Sequence, residues 1–466
     1  MPATLALEEM PKSSIIRDPV VDATLEAYNM KKIIRGQIFY FINDPTLYTN
    51  PDDFMRYYED GGLVISDGYI VDIGTYEEMQ SKYIQASYDD YSGMFIMPGF
   101  IDTHIHYPQT PIIGSYGKQL LDWLNEYTYP VEEMFSSPKY AEGASKDFIK
   151  ELFKNGTTSC AAFSTEHKTS VNALFKVASD FNMRIITGKV LMNRNAPAAL
   201  EDTVKEAYAE SKELIETWHK KGRNLYAITP RFAITCSMSE LKVAGLLHKE
   251  YPDTYIQTHL AENKDEIKQT MDLFPDCTDY LNVYEKAGIV TDSSIFAHGI
   301  YLSDSELDRI KCAGSFISHC PTSNLFLGSG LFNMQRVNNK RVTTTIATDV
   351  GAGTSFSMLQ TLNEAYKIQQ LNRYVMNTFE SFYKITLGAA RALKLENKIG
   401  SFSLGNEADF IVIDYVAQYI QKIRMEYLKS CDKWDVENML FGLQIMGDSR
   451  NIKATYVMGR KIDLTD

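Results

Sequence analysis

The sequence predicts an α/β protein: a (β/α)8, TIM-like barrel with a small flanking β-domain built from both ends of the chain. Three observations lead there. Eight short apolar runs between residues 100 and 348 are separated by stretches of helical periodicity. Turn-rich β segments at 31–97 and 399–466 bracket them. The glycine-rich phosphate turn that would follow the first strand of a doubly wound open sheet is missing, which makes that sheet the weaker alternative.

Residues 1–30 contain acidic side chains and no continuous apolar core, so they are expected to form an arm or a strap onto a neighbour rather than a secretory leader. From 31 to 97 the apolar alternations IIRGQIFYFI, GGLVISDGYIVDIG and MFIMPG read as strands, with Asp67-Gly68 as a hairpin turn. The stretch 43–60 reads as an insertion to which the motifs give no role. The barrel is expected over 98–398. Its first strand, 100–105, precedes helical stretches at 119–135 and 141–155, a strand at 158–163 and a helix at 171–181. Further strands are expected at 184–191, 225–229, 255–260, 294–298, 315–319 and 342–348. Ser237-x-x-Glu240 and Ser303-x-x-Glu306 read as capping boxes. The segment 399–466 returns to β patterning at 408–414 and 452–458.

Composition narrows the function. A net charge of -13 argues against a broad nucleic-acid or anionic-membrane surface, which would need clustered Lys and Arg. No uncharged apolar run approaches the ~18 residues of a membrane span. Six cysteines without a CxxC pair fit reduced thiols and a cytoplasmic location better than a disulfide framework.

The chemistry is concentrated in Pro98-Gly99-Phe100-Ile101-Asp102-Thr103-His104-Ile105-His106. Side chains alternate along a strand, so His104 and His106 face the same way and can grip one metal ion. Arg231, His259, His298 and Asp349 stand at or just beyond the ends of later strands, where such barrels carry their active sites. A metal hydrolase follows. Asp349 can serve as base for water, and Glu262, close after His259, as a proton shuttle. His and Asp ligands suit zinc, although iron or manganese would accept similar ones. His219 and His248 read as helix-end residues and His167 as a polar loop residue. His319 reads either as a support for the ligands or as a structural histidine.

These residues, together with the C-terminal IGSFSLGNEADFIVID, resemble the amidohydrolase superfamily. Within it the sequence resembles the guanine deaminase family through MPGFIDTHIHYPQ, LLDWLNEYTYPVE, ITPRFAITCS, THLAEN, FAHGIYLS, SHCPTSNLFLGSG and ATDVGAGTSFSM. The resemblance implies one zinc held by His104, His106, His259 and Asp349, with His298 beside it stabilising a developing oxyanion. It implies that Glu262 protonates the purine ring and Asp349 takes a proton from the attacking water. Gln109, Arg231 and Phe232 would contact guanine, Arg231 through the ring carbonyl. A homodimer is implied as well. Two-metal relatives use a lysine on the fourth strand, which here ends in Pro230-Arg231; Lys189 lies on the third. The competing readings are a mononuclear hydrolase of another amino-substituted heterocycle and a non-catalytic scaffold of the same fold.

Overall fold

The computed structural model of the chain describes residues 31–117 and 119–464. The expected N-terminal arm, 1–30, lies outside the described residues. Four strands open the described residues: β1 (Lys32–Phe41), β2 (Met55–Ser66), β3 (Tyr69–Thr75) and β4 (Ser87–Pro98). Asp67, at a φ of 53°, turns β2 into β3, as the Asp-Gly pair predicts. The stretch read as an insertion carries two short 3-10 turns, Pro45–Leu47 and Pro51–Asp53, before β2 begins.

The barrel strands are β5 (Phe100–His106), β6 (Thr157–Phe163), β7 (Arg184–Gly188), β9 (Asn224–Pro230), β10 (Tyr255–Leu260), β11 (Ser294–His298), β12 (Phe316–His319) and β13 (Thr343–Ile346). All pair in parallel with their neighbours, and a two-residue strand, β8 (Val190–Leu191), pairs with β9. The third predicted strand is thus broken at Lys189. Gly188 sits there because a side chain would meet the Ala227 carbonyl oxygen at 1.9 Å. Every residue of β5, β6 and β11 is buried, as expected of strands covered on both faces.

Among the described residues β13 and β5 share no registered ladder; polar groups close the seam. The Asp349 amide donates to the His104 carbonyl at 3.0 Å, and the His106 amide to that of Val350 at 2.8 Å. Buried Asp102 accepts from the Thr348 hydroxyl at 2.5 Å and from its amide at 3.2 Å. The seam therefore runs through three of the four predicted ligands, His104, His106 and Asp349.

After the barrel, β14 (Phe410–Ile413), β15 (Ile452–Val457) and β16 (Arg460–Lys461) join the first four strands in one sheet, ordered β16-β15-β14-β4-β1-β2-β3. Both ends of the chain build it, as the sequence predicts. Ile34, Ile38 and Tyr40 of β1 pack with Phe402, Phe410 and Tyr456, while Phe39 and Phe41 pack with Phe379 and Phe382. Alternate side chains thus enter two cores. At the opposite end of the barrel from the predicted site, Arg184 and Arg223 form buried ion pairs with Glu407, and Arg223 also with Asp409. These pairs fix the entry into the C-terminal strands.

Candidate active site

His104 and His106 emerge together from the end of β5, both buried, with their ring centroids 5.0 Å apart. His106 Nε2 lies 3.2 Å from His259 Nε2 and 3.3 Å from Asp349 Oδ1, and His104 Nε2 lies 3.2 Å from the same carboxylate oxygen. One donor atom from each of these four residues falls within 4.8 Å of all the others. The neighbouring hydrogen bond orients His259: its Nδ1 lies 2.8 Å from the Arg231 carbonyl. A carbonyl only accepts, so Nδ1 carries the proton and the Nε2 lone pair faces the cluster.

The ionisation states favour a cation. Burial pushes the His106 ring down to about 3. His259 is held well below its ordinary value by burial and by the histidines around it. For Asp349 burial acts upward, but His104 and His106 outweigh it and hold the carboxyl well below the usual range. Neutral imidazoles and a charged carboxylate are the forms that ligate metal. The Nε2 atoms of His104 and His298 are buried without a hydrogen-bond partner. Three imidazole nitrogens and a carboxylate oxygen converging in a buried site fit a divalent cation.

Three residues around this centre hold left-handed backbone conformations: Ala261 at φ 50°, His298 at 71° and Asp349 at 53°. Non-glycine residues in that region cost about 1–3 kcal/mol each and cluster where a site over-determines them. His298 Nδ1 lies 2.9 Å from Asn324 Oδ1, which leaves Nε2 3.5 Å from Glu262 Oε2 and 3.6 Å from Asp349 Oδ2. Burial, together with the charge of Asp349, pushes Glu262 up to about 8. The Ser329 hydroxyl donates to Glu262 at 3.1 Å, and the Glu262 amide is anchored by Glu266 Oε2 at 2.8 Å. A protonated carboxyl thus stands beside an ionised one, which divides acid from base.

A pocket opens onto this cluster, lined by His106, Gln109, Leu120, Trp123, Leu124, Arg231, Phe232, His259, Glu262, His298, Leu327, Asp349 and Ala352. Every predicted catalytic and substrate-contacting residue borders it; His104 lies behind. The pocket's outer wall comes from a helical stretch the sequence indicated only as one helix. It is interrupted by a π turn at Leu124–Thr128, between Leu120–Trp123 and Tyr129–Glu133. Such turns recur at functional sites.

Arg231 is buried, and its Nη1 donates to both oxygens of Glu132, at 3.0 and 2.7 Å. Sequence reasoning missed Glu132, because a carboxylate on a short helix ordinarily faces solvent. It also missed Asn324, Ser329 and Glu266, whose roles depend on contacts between distant segments. Cys320 is a further surprise: its thiol shares a 4.8 Å cluster with His104, His298 and Asp349. Burial pushes that thiol well above its ordinary value, so it stays neutral.

The remaining histidines fall away from the centre. The Tyr226 amide donates to His219 Nδ1 at 3.0 Å, His248 Nδ1 lies 3.4 Å from the Thr254 hydroxyl, and His167 Nδ1 lies 3.1 Å from Glu166. His319 is stacked on Phe332 with ring centroids 4.5 Å apart and neither nitrogen paired. Lys189 is drawn to Asp202 at 2.8 Å and Glu166 at 2.9 Å, away from the histidines. The Ser237 capping box is only half made. The Ser237 hydroxyl accepts from the Glu240 amide at 3.3 Å, but the Glu240 carboxyl is buried beside Asp202 and pushed up to about 10, by burial first. The expected reciprocal bond loses to that interior partner.

The amidohydrolase family model matches residues 95–462. A guanine deaminase of Escherichia coli (strain K12) is 47% identical over 435 residues, covering 92% of this chain and 97% of that protein. The crystal structure of guanine deaminase from Bradyrhizobium japonicum superposes with a TM-score of 0.90 at 38% identity, covering 94% of this chain and 100% of that one. That of guanine deaminase from C. acetobutylicum with bound guanine in the active site gives 0.81 at 30% identity, covering 93% and 100%.

Proposed function

The chain belongs to the amidohydrolase family, within its guanine deaminases, and from that premise we propose how its residues hydrolyse guanine to xanthine and ammonia at a single zinc ion. The observation that carries the reading is the convergence of four ligand atoms, the buried carboxyl of Glu262 and a fixed Arg231 on one pocket. His104, His106, His259 and Asp349 would hold the ion. When bound, zinc supplies Lewis acidity that lowers the pKa of water from about 15.7 to roughly 7.

Arg231 orients the substrate by donating to the carbonyl on the six-membered ring, Gln109 meets the same edge, and Phe232 contacts the ring. Glu262 passes its proton to the ring nitrogen next to the amine-bearing carbon, which makes that carbon electrophilic. Asp349 accepts a proton from water as the water oxygen bonds to this carbon. His298, whose Nε2 faces Glu262 and Asp349, stabilises the oxygen that gains charge. Asp349 then delivers its proton to the exocyclic amine. The carbon–nitrogen bond breaks, ammonia leaves, and the new hydroxyl returns a proton to Glu262 as it becomes the second carbonyl of xanthine.

Positioning accounts for much of the rate, because each proton-transfer partner already stands on a strand end. The Lys189 ion pairs support one metal rather than two, since they hold this lysine away from the histidines. The finer proposals are a homodimer and a cytoplasmic location. Tyr419, Ile420, Ile423 and Tyr427, exposed along one helix, support the first, and six unpaired cysteines the second. No helix among the described residues is long and apolar enough to cross a membrane. Ammonia release and xanthine formation from guanine by the zinc-loaded protein test the reading; a zinc-loaded protein inert on guanine would overturn it.

A further inference from the structure

Resting on the guanine reading above, we propose that Glu132 is a positioning residue for substrate recognition, clamping Arg231 and steadying Gln109 so that both ring-reading side chains are set before guanine arrives. Both oxygens of its carboxylate accept from Arg231 Nη1, at 3.0 and 2.7 Å. Gln109 Nε2 donates to Glu132 Oε1 at 3.4 Å, and Gln109 Oε1 accepts from the Gly351 amide at 3.1 Å. Tyr129, on the same short helix, places its ring centroid 5.5 Å from the guanidinium. One helix thus supplies the anion and the aromatic face that hold one arginine.

Three features separate this role from simple packing. Glu132 is 0% exposed and Arg231 2%, so each buried charge requires the other. An apolar pair of similar volume would pack as well or better, so the stability of the fold does not call for charge here. The clamp engages Nη1, and among the described residues no other group accepts from Nη2. A guanidinium carries donors in a rigid plane, so fixing one arm aims the others. The fixed arms border the pocket beside Glu262 and Asp349. Neutralised by Glu132, Arg231 can donate to a neutral carbonyl without drawing anions into the site.

The test compares guanine with a ligand that lacks the carbonyl and, with it, the proton on the adjacent ring nitrogen. In the zinc-loaded protein, KM and kcat are measured for guanine, and 2-aminopurine, the same ring without the carbonyl, is measured by its inhibition constant. For Glu132→Gln the KM for guanine should rise ~10- to 100-fold, the range of a hydrogen bond to a charged group, with kcat changed less. The inhibition constant of 2-aminopurine should stay within about threefold, because it does not use Arg231. An equal loss for both ligands would show a structural role only, and an unchanged KM would show none; either overturns the proposal. Should Glu132→Gln fail to fold, Arg231→Gln alone is compared with the double variant, which removes both buried charges. Adding Glu132→Gln should then cost guanine kcat/KM no more than about threefold, and a further loss of ~10-fold or more would overturn the proposal. Wild-type protein inert on guanine would instead remove the reading on which it rests.

Discussion

The Nδ1 atom of His259 donates to the backbone carbonyl of Arg231 across 2.8 Å, so the residue proposed to read the substrate with its side chain also orients a proposed metal ligand with its main chain. The two functions of Arg231 are therefore separable by mutation.

Arg231→Ala keeps the carbonyl and should keep the metal, while guanine turnover collapses. It also leaves Glu132 as an unpaired buried charge, which typically costs about 3–5 kcal/mol of stability. Elemental analysis, guanine kinetics and urea unfolding check the three statements together. Loss of the metal along with the side chain would show that the two functions are not separable.

Wild-type protein should convert guanine and leave adenine essentially untouched. Adenine carries an amine where guanine carries the carbonyl, so Arg231 would face a donor with another donor. A buried polar group left unmatched makes a site reject an analogue by as much as ~10⁴-fold. Competing adenine and guanine in one assay measures the ratio, and faster turnover of adenine would contradict the assignment of Arg231.

Glu262→Gln retains an acceptor for the Ser329 hydroxyl but has no proton to give. Turnover should fall by at least ~100-fold with metal content unchanged. Near-normal kcat in that variant would place the proton shuttle on another group.

Metal content should be about one zinc per chain, and a chelator should remove activity that added zinc restores. Because the ligands converge only in the folded barrel, zinc should also raise the unfolding temperature in a concentration-dependent way. Two tightly held ions per chain would contradict the single-metal reading.

Glu407 should make the fold acid-sensitive. Burial acts to raise its pKa, but Arg184 and Arg223 prevail and hold it below the usual value. Its contribution is thus complete above the unfolded value of about 4.3 and is lost as pH falls through the lower folded value. Glu407→Gln should be less stable at neutral pH, yet lose less stability on acidification. Unfolding midpoints at a series of pH values decide this, and parallel curves for the two proteins would refute it.

What the sequence disclosed follows from local geometry. His104 and His106 were legible because strand alternation places i and i+2 together, and His298 and Asp349 because each closes an apolar run. The barrel was legible from the alternation of such runs with helical stretches. Glu132 was not, since its meaning comes from Arg231, 99 residues away. Glu240 shows the opposite failure: a correct local signal was overridden when the carboxyl found Asp202 in the interior. The break at Lys189 was hidden because nothing local distinguishes a strand that ends from one that pauses.

The seam between β5 and β13 also sets a schedule. His104 and His106 leave the ribosome first, His259 next, and Asp349 only when most of the barrel has been made. A nascent chain short of residue 349 has three of the donors' imidazoles and not their carboxylate, and its first strand lacks the Asp349 and Val350 backbone partners that close the ring. The ion that fits these four donors would therefore act as a clasp, joining the earliest part of the barrel to the latest.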